Sequence, residues 1–204
     1  VADVPSLVVL ISGSGSNLAA LIEACRTGVL RARIAAVVSN RRDAAGLQRA
    51  QDAGIPTHHA PLAPYRGAEG GVDRDRYDAD LATLVAGYGP VCVVCAGFLH
   101  ILSPTFLSAF PVGAVLNLHP ALPGDLPGLN AIERAWVRAD GAASTTGVMV
   151  HEVVAEVDAG PVVATEVVAI HANEGLASLT ERMHAAEHRV LVDAVRRALA
   201  AKTA

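Results

Sequence analysis

Leu7-Val8-Val9-Leu10-Ile11-Ser12-Gly13-Ser14-Gly15-Ser16-Asn17 is the stretch that decides the fold. Five apolar residues in a row, without alternation, are the pattern of a parallel strand buried on both faces. The glycine-serine run makes a turn. A helical pattern follows from Asn17 toward Cys25, with Gly28 as its stop. Strand, tight turn and helix in that order open a doubly wound sheet.

Outward from this unit the alternation repeats. Ile34–Val38 reads as a second strand, Asp43 caps a helix running to about Ala53, and Gly54 ends it. A short strand lies near Thr57–His59, and residues 61–72, rich in Pro, Gly and Ala, read as a loop. Asp73–Ala86 is helical in pattern, Pro90–Ala96 is a buried strand, and Ser103-Pro104 starts a short helix. Val112–Leu118 is a strand, and three prolines and two glycines make 120–128 a loop. Ile132–Arg138 reads as a helix, Thr145–Val154 and Val162–Ile170 as strands, and Leu176–Ala201 as one long amphipathic helix. The expectation is an α/β fold: a Rossmann-like, doubly wound, mostly parallel sheet of about seven strands flanked by helices. No repeat or linker divides the chain, so 1–204 reads as a single domain.

Composition agrees. Apolar residues are 52% and aromatics only 3%, which suits aliphatic strands under Ala-rich helices. A net charge of −4 argues against a general pull toward nucleic acid or an anionic membrane. No apolar run approaches the roughly 18 to 20 residues that span a bilayer. The first residues, Val1-Ala2-Asp3-Val4-Pro5, lack a basic region and do not read as a signal peptide. Three cysteines make no disulfide framework, and a reduced cytoplasm is the expected setting. Cys92 and Cys95 form a C-x-x-C inside a strand, where residues three apart point to opposite faces. They read as core.

Ligands of such folds bind outside the carboxyl ends of the strands. That directs attention to the turns after residues 11, 39, 96 and 118. In the first, glycines allow close approach, and the free N–H groups of a helix start suit a phosphate. The run resembles G-x-G-x-x-G but has Leu18 at the third position, and no P-loop lysine follows. Taken alone, a tight turn without a ligand is an equal reading. Arg41 and Arg42 after the second strand suit a 2′-phosphate, which keeps an NADP enzyme or a non-catalytic nucleotide-binding module open.

In the fourth turn, Asn117 and His119 are two apart at a strand end, so both leave one face while Leu118 points away. An amide that bonds an oxyanion beside an imidazole that moves a proton fits acyl transfer. A hydrogen-bonded pair without chemistry fits the spacing as well. Glu156 and Asp158 stand on a turn between two apolar strands. An Asp near His119 raises the pKa of that histidine; a plain turn Asp before Ala159-Gly160 is the bland alternative.

Together these pieces resemble the glycinamide ribonucleotide formyltransferase family. The resemblance runs from Leu7 to about Leu199. It rests on the ordered set Ile11–Asn17, Ala96–Ser103, Asn117-Leu118-His119-Pro120, Gly147–His151, Val157–Pro161 and Ala186-Glu187-His188. It implies 10-formyltetrahydrofolate as formyl donor and Asn117, His119 and Asp158 as the catalytic trio. It implies a substrate phosphate on Gly15, Ser16 and Asn17, and substrate contacts from His184 and Glu187, which read otherwise as an i, i+3 pair on a solvated helix face. It assigns the folate to Arg74, Leu99, His100, Ile101, Leu102 and Asn117, and to the loop Val154, Ala155, Glu156, Val157 and Asp158. Ala121-Leu122-Pro123-Gly124 after His119-Pro120 looks like the fungal branch, and His100 stands where the family commonly has Arg.

The implied reaction is attack of a primary amine on the formyl carbon, with Asn117 and protonated His119 stabilising the oxygen and Asp158 keeping His119 charged. It needs no metal. His58-His59 lacks ligand spacing and reads as a loop pair. Two small molecules are the implied partners, and a homodimer is left open. A methionyl-tRNA formyltransferase and a formyltetrahydrofolate hydrolase carry further domains for which 204 residues leave no room. A sugar-nucleotide N-formyltransferase remains the alternative, and Gly15-Ser16-Asn17 suits a ribotide phosphate better.

Overall fold

Ser6–Ile11 (β1) is buried at every residue, as a continuous apolar run between two parallel neighbours must be. Its neighbours are Arg33–Ser39 (β2) and Cys92–Cys95 (β4). Thr57–His59 (β3) pairs outside β2, and Val115–His119 (β5) pairs outside β4, all in parallel. Ser144–Glu152 (β6) and Val162–Ile170 (β7) then extend the sheet in antiparallel fashion. The order is β3-β2-β1-β4-β5-β6-β7. The computed structural model describes residues 4–67 and 71–203; part of the loop expected over 61–72 therefore lies outside the described residues.

The helices divide between the two faces. Ser16–Arg26 (α1), Ala45–Asp52 (α2), Ala131–Ala139 (α5) and Leu176–Thr203 (α6) cover one, where Leu18, Leu21, Ala135, Met183 and Leu191 meet Leu7, Val9 and Ile11. Arg74–Ala86 (α3) and Pro104–Leu107 (α4) cover the other, with Tyr77, Leu81 and Phe106 on Val8, Leu10 and Val93. Cys92 lies in the first core and Cys95 in the second, so the two thiols do face opposite ways. Both are buried, and burial pushes each thiol up to about 12.

Several boundaries differ from the sequence reading. Asp43 caps nothing: Ala44 precedes α2, makes no side-chain cap and is itself buried. The strand expected from Val112 begins only at Val115, because pairing with β4 starts there and Val112 is 98% exposed. The strand expected from Pro90 spans only Cys92–Cys95, and β6 stops at Glu152 rather than Val154. Asp73, read as the first helical residue, is instead the cap of α3, its Oδ1 accepting from Arg76 N–H at 3.1 Å.

The strand order reverses at β1. One crossover leads from β1 to β2, and the chain later returns to the other side as β4. A crevice opens outside the carboxyl ends at such a point.

Candidate active site

The crevice is a cleft of about 750 Å³. Asn17 and Glu187 stand on its wall, as do the segment 97–102, the strand end Asn117–His119, His151, and Val153, Val154 and Glu156 to Asp158.

At one side is the start of α1. Gly15 takes the left-handed conformation (φ 72°) as N-cap, and no side chain caps the helix. The first-turn N–H groups are thus left without a side-chain acceptor, the condition for anion binding. A side chain at Gly15 would strike Gly46 Cα of α2 at 2.5 Å. Gly46 of another helix is the backbone that approaches the turn, while Leu18, where a dinucleotide fingerprint has its third glycine, is core. That approach brings in Arg49, whose Nε donates to the Ser14 carbonyl at 2.9 Å. Asn17 Nδ2 donates to Glu187 Oε2 at 2.8 Å. Glu187 is only 6% exposed and so is no member of a solvated face. His184, one turn earlier, is exposed and does not line the cleft.

The segment Gly97–Ser103 forms a second wall. Leu99 and Ile101 are half exposed, and Arg74 Nη2 reaches the Ile101 carbonyl at 3.4 Å. His100 lines the cleft, but its side chain is 2% exposed and turned to Asp78. Val154, Glu156 and Val157 line the cleft opposite; Ala155 does not.

Asp158 joins the strand-end pair to its surroundings. It sits in the left-handed region (φ 55°) on the turn between β6 and β7. Its Oδ2 accepts from Gly128 N–H at 2.9 Å and lies 3.4 Å from His119 Nδ1. Its Oδ1 accepts from Asn117 Nδ2 at 3.3 Å and lies 3.5 Å from His151 Nε2. Asp158 is therefore in contact with both Asn117 and His119. Burial pushes the Asp158 carboxyl up, but His151, the Gly128 amide and the charge of His119 together hold it below the usual carboxylate range.

His119 departs from the expectation. It is 4% exposed, and its Nε2–H donates to the Leu126 carbonyl at 3.0 Å. Burial is the largest influence and lowers its pKa, as do His151 and Arg134, against Asp158 and the Leu126 carbonyl, which raise it. The net direction is down, because losing water costs the imidazolium more than a carboxylate at 3.4 Å returns. Burial thus works against the charged form that Asp158 favours.

His151 was missed as a site residue. It faces Asn117 across the antiparallel β5–β6 pair, donates from Nδ1 to the Glu152 carbonyl at 2.8 Å, and accepts from Asn117 Nδ2 at 3.2 Å. Only strand register brings it there; the Gly147–His151 run, part of the family resemblance, was its signal in the sequence. His58, read as part of a loop pair, lies instead in β3, where its ring bonds the Tyr88 hydroxyl.

The model of the formyl transferase family matches residues 6–195. A phosphoribosylglycinamide formyltransferase of Schizosaccharomyces pombe is 48% identical over 94% of this chain and 96% of its own length. That of Saccharomyces cerevisiae is 43% identical over 95% and 96%. Among solved structures, glycinamide ribonucleotide transformylase 1 from Symbiobacterium toebii matches with a TM-score of 0.84 at 36% identity, over 94% of this chain and 86% of that one.

Proposed function

The chain belongs to the formyl transferase family, and on that premise we propose that it transfers a formyl group from 10-formyltetrahydrofolate to the primary amine of glycinamide ribonucleotide, a step of purine biosynthesis. The observation that carries the reading is the meeting of Asn117, His119 and Asp158 at the end of a cleft whose other side is the uncapped start of α1. The whole of 1–204 acts as one formyltransferase domain, and every group named in the site comes from one chain.

The substrate phosphate sits on Gly15, Ser16 and Asn17, with Arg49 adding positive charge. Glu187 meets the sugar hydroxyls. His184 lies on the same helix at the exposed rim. The folate lies along Leu99–Leu102, with Arg74 at the strap and Val154–Asp158 opposite, the two half-exposed side chains Leu99 and Ile101 offering it an apolar surface.

The amine attacks the formyl carbon and a tetrahedral intermediate forms. Neutral His119 accepts the proton that the attacking nitrogen sheds, directly or through water, and Asp158 stabilises the imidazolium at Nδ1. The same proton then serves N10 of the departing folate. Asn117 Nδ2 turns to the developing oxyanion. Its present contacts, 3.2 Å to the His151 ring nitrogen and 3.3 Å to the Asp158 carboxylate, lie at the long end of hydrogen-bond lengths. The steps use no metal. Free thiols at Cys25, Cys92 and Cys95 suit a reduced cytoplasm.

The test is purified protein with 10-formyltetrahydrofolate and a panel of amines. Glycinamide ribonucleotide is formylated, and free glycinamide reacts far more slowly, because remote phosphate binding orients the amine. Comparable kcat/KM for the two overturns the phosphate assignment. Preference for an amino-sugar nucleotide overturns the acceptor.

A further inference from the structure

Between the end of β4 and the start of α4, Gly97–Ser103 crosses the cleft as a strap without regular secondary structure. It is nevertheless tied down by buried polar contacts. At its near end the Leu99 N–H donates to Ser12 Oγ at 2.7 Å, and Ser12 Oγ–H donates on to Asn40 Oδ1 at 2.6 Å. At its far end two donors converge on a single carboxylate. His100 Nε2–H meets Asp78 Oδ1 at 2.7 Å, and the Ser103 N–H meets Asp78 Oδ2 at 2.6 Å. The His100 ring is further set edge-on to Tyr77 at 4.9 Å and to Phe98 at 5.9 Å.

Asp78 is fully buried on α3. Burying a carboxylate is costly, and a well-packed apolar residue at such a position is commonly neutral or better for stability. Core packing therefore does not explain it. Both of its side-chain partners belong to the strap, which points to a use in conformation. An irregular segment makes no ladder of its own, and a carboxylate that takes one backbone and one ring donor holds both in one geometry.

We propose that Asp78 is a positioning residue for the folate: it preforms the Gly97–Ser103 wall on which the formyl donor lies, without touching the donor. The inference rests on the folate reading of the cleft. With Asp78 removed, the Ser103 N–H and the His100 ring lose their acceptor, the strap samples other conformations, and donor binding must reorder it. The ribotide side of the cleft, built from α1, α2 and Glu187, is untouched.

The test compares Asp78→Ala and Asp78→Asn with wild type. The probe is tetrahydrofolate, titrated by calorimetry, alongside the KM for glycinamide ribonucleotide and amide exchange over residues 97–103. Asp78→Ala is expected to weaken tetrahydrofolate about tenfold or more and to raise exchange in the strap, with the ribotide KM within about threefold of wild type. Asp78→Asn keeps an acceptor for Ser103 and an amide donor for the other His100 tautomer, and is expected to stay within about threefold for both ligands. Tetrahydrofolate binding by Asp78→Ala within threefold of wild type overturns the proposal, as does equal weakening of both ligands in both variants. If Asp78→Ala does not fold, His100→Ala removes one clamp alone; unchanged tetrahydrofolate affinity and strap exchange in that variant overturn the proposal, and selective loss supports it. Wild-type protein that takes up no tetrahydrofolate overturns the folate reading and the inference together, whereas wild-type binding with an indifferent Asp78→Ala overturns the inference alone.

Discussion

The two halves of the sheet supply different things to the cleft. The parallel half, β3-β2-β1-β4-β5, supplies turns: an uncapped helix start at Gly15–Asn17, the strap 97–103, and the ends of β1, β2 and β4 tied through Ser12. The antiparallel half, β5-β6-β7, supplies titratable side chains. His151 comes from β6 opposite Asn117, and Asp158 comes from the β6–β7 turn. Parallel strands gather the turns that leave their carboxyl ends at one end of the sheet, which suits backbone binding of ligands. Antiparallel pairing sets residues distant in sequence face to face, which suits the assembly of an acid–base group. Binding and proton transfer are therefore expected to fail separately when each half is altered.

Asp158→Asn offers the largest effect. It keeps the shape but removes the charge that counters the burial of His119. The His119 titration, followed by NMR, is expected to move to lower pH, since the group that raised it is gone. The kcat is expected to fall about a hundredfold or more, with smaller changes in both KM values. Near-wild-type kcat with an unmoved titration removes Asp158 from the mechanism.

Arg49→Ala strikes the other half. The KM for glycinamide ribonucleotide is expected to rise about tenfold, as for loss of one charge-assisted phosphate contact, with the KM of the formyl donor unmoved. Steady-state kinetics with the ribotide and with the dephosphorylated riboside separate the readings. An equal effect on both acceptors makes Arg49 a structural brace of the Ser14 carbonyl.

A smaller effect is expected at Gly160, on the turn that carries Asp158. A Cβ there would lie 1.7 Å from the Glu152 carbonyl oxygen, so backbone must shift. Gly160→Ala is expected to lower Tm by several degrees, on the order of 1–3 kcal/mol, and to lower kcat while sparing ribotide KM. Calorimetric melting and kinetics check it, and an unchanged Tm refutes the crowding.

The smallest effect concerns acid stability. Burial raises the Asp78 carboxyl, but the bonds from His100 and Ser103 prevail and hold it below the ordinary value. A carboxyl depressed on folding adds stability that is full above its unfolded pKa, near 3.9, and is lost as pH falls through the folded one. Asp78→Asn cannot titrate. Its urea-unfolding free energy is expected to fall less steeply than that of wild type between about pH 5 and 3. Equal slopes show that other carboxyls govern acid unfolding.

Much of this was legible beforehand, and the reasons are local. The uninterrupted run Leu7–Ile11 could only be a strand buried on both faces, and the strand–turn–helix alternation around it dictated the sheet. Asn117 and His119 share a face because strands have a period of two, and Asp158 really is in reach of both. Chain ends of elements were less legible. Val112 has the composition of strand but no partner, and Asp43 has the chemistry of a cap but sits one residue outside the helix start.

What the sequence by itself determined, then, were the elements, the faces their side chains leave, and the turns where a ligand would lie, since all three follow from short-range periodicity and turn chemistry. Tertiary structure alone decided the rest. Register across β5–β6 brought His151 to Asn117, and the close approach of Gly46 to Gly15 carried Arg49 to the turn. Burial turned the direction of the His119 pKa against the pull of Asp158, because a histidine's pKa answers to the water it loses as well as to the carboxylate it gains, and only packing says how much water that is.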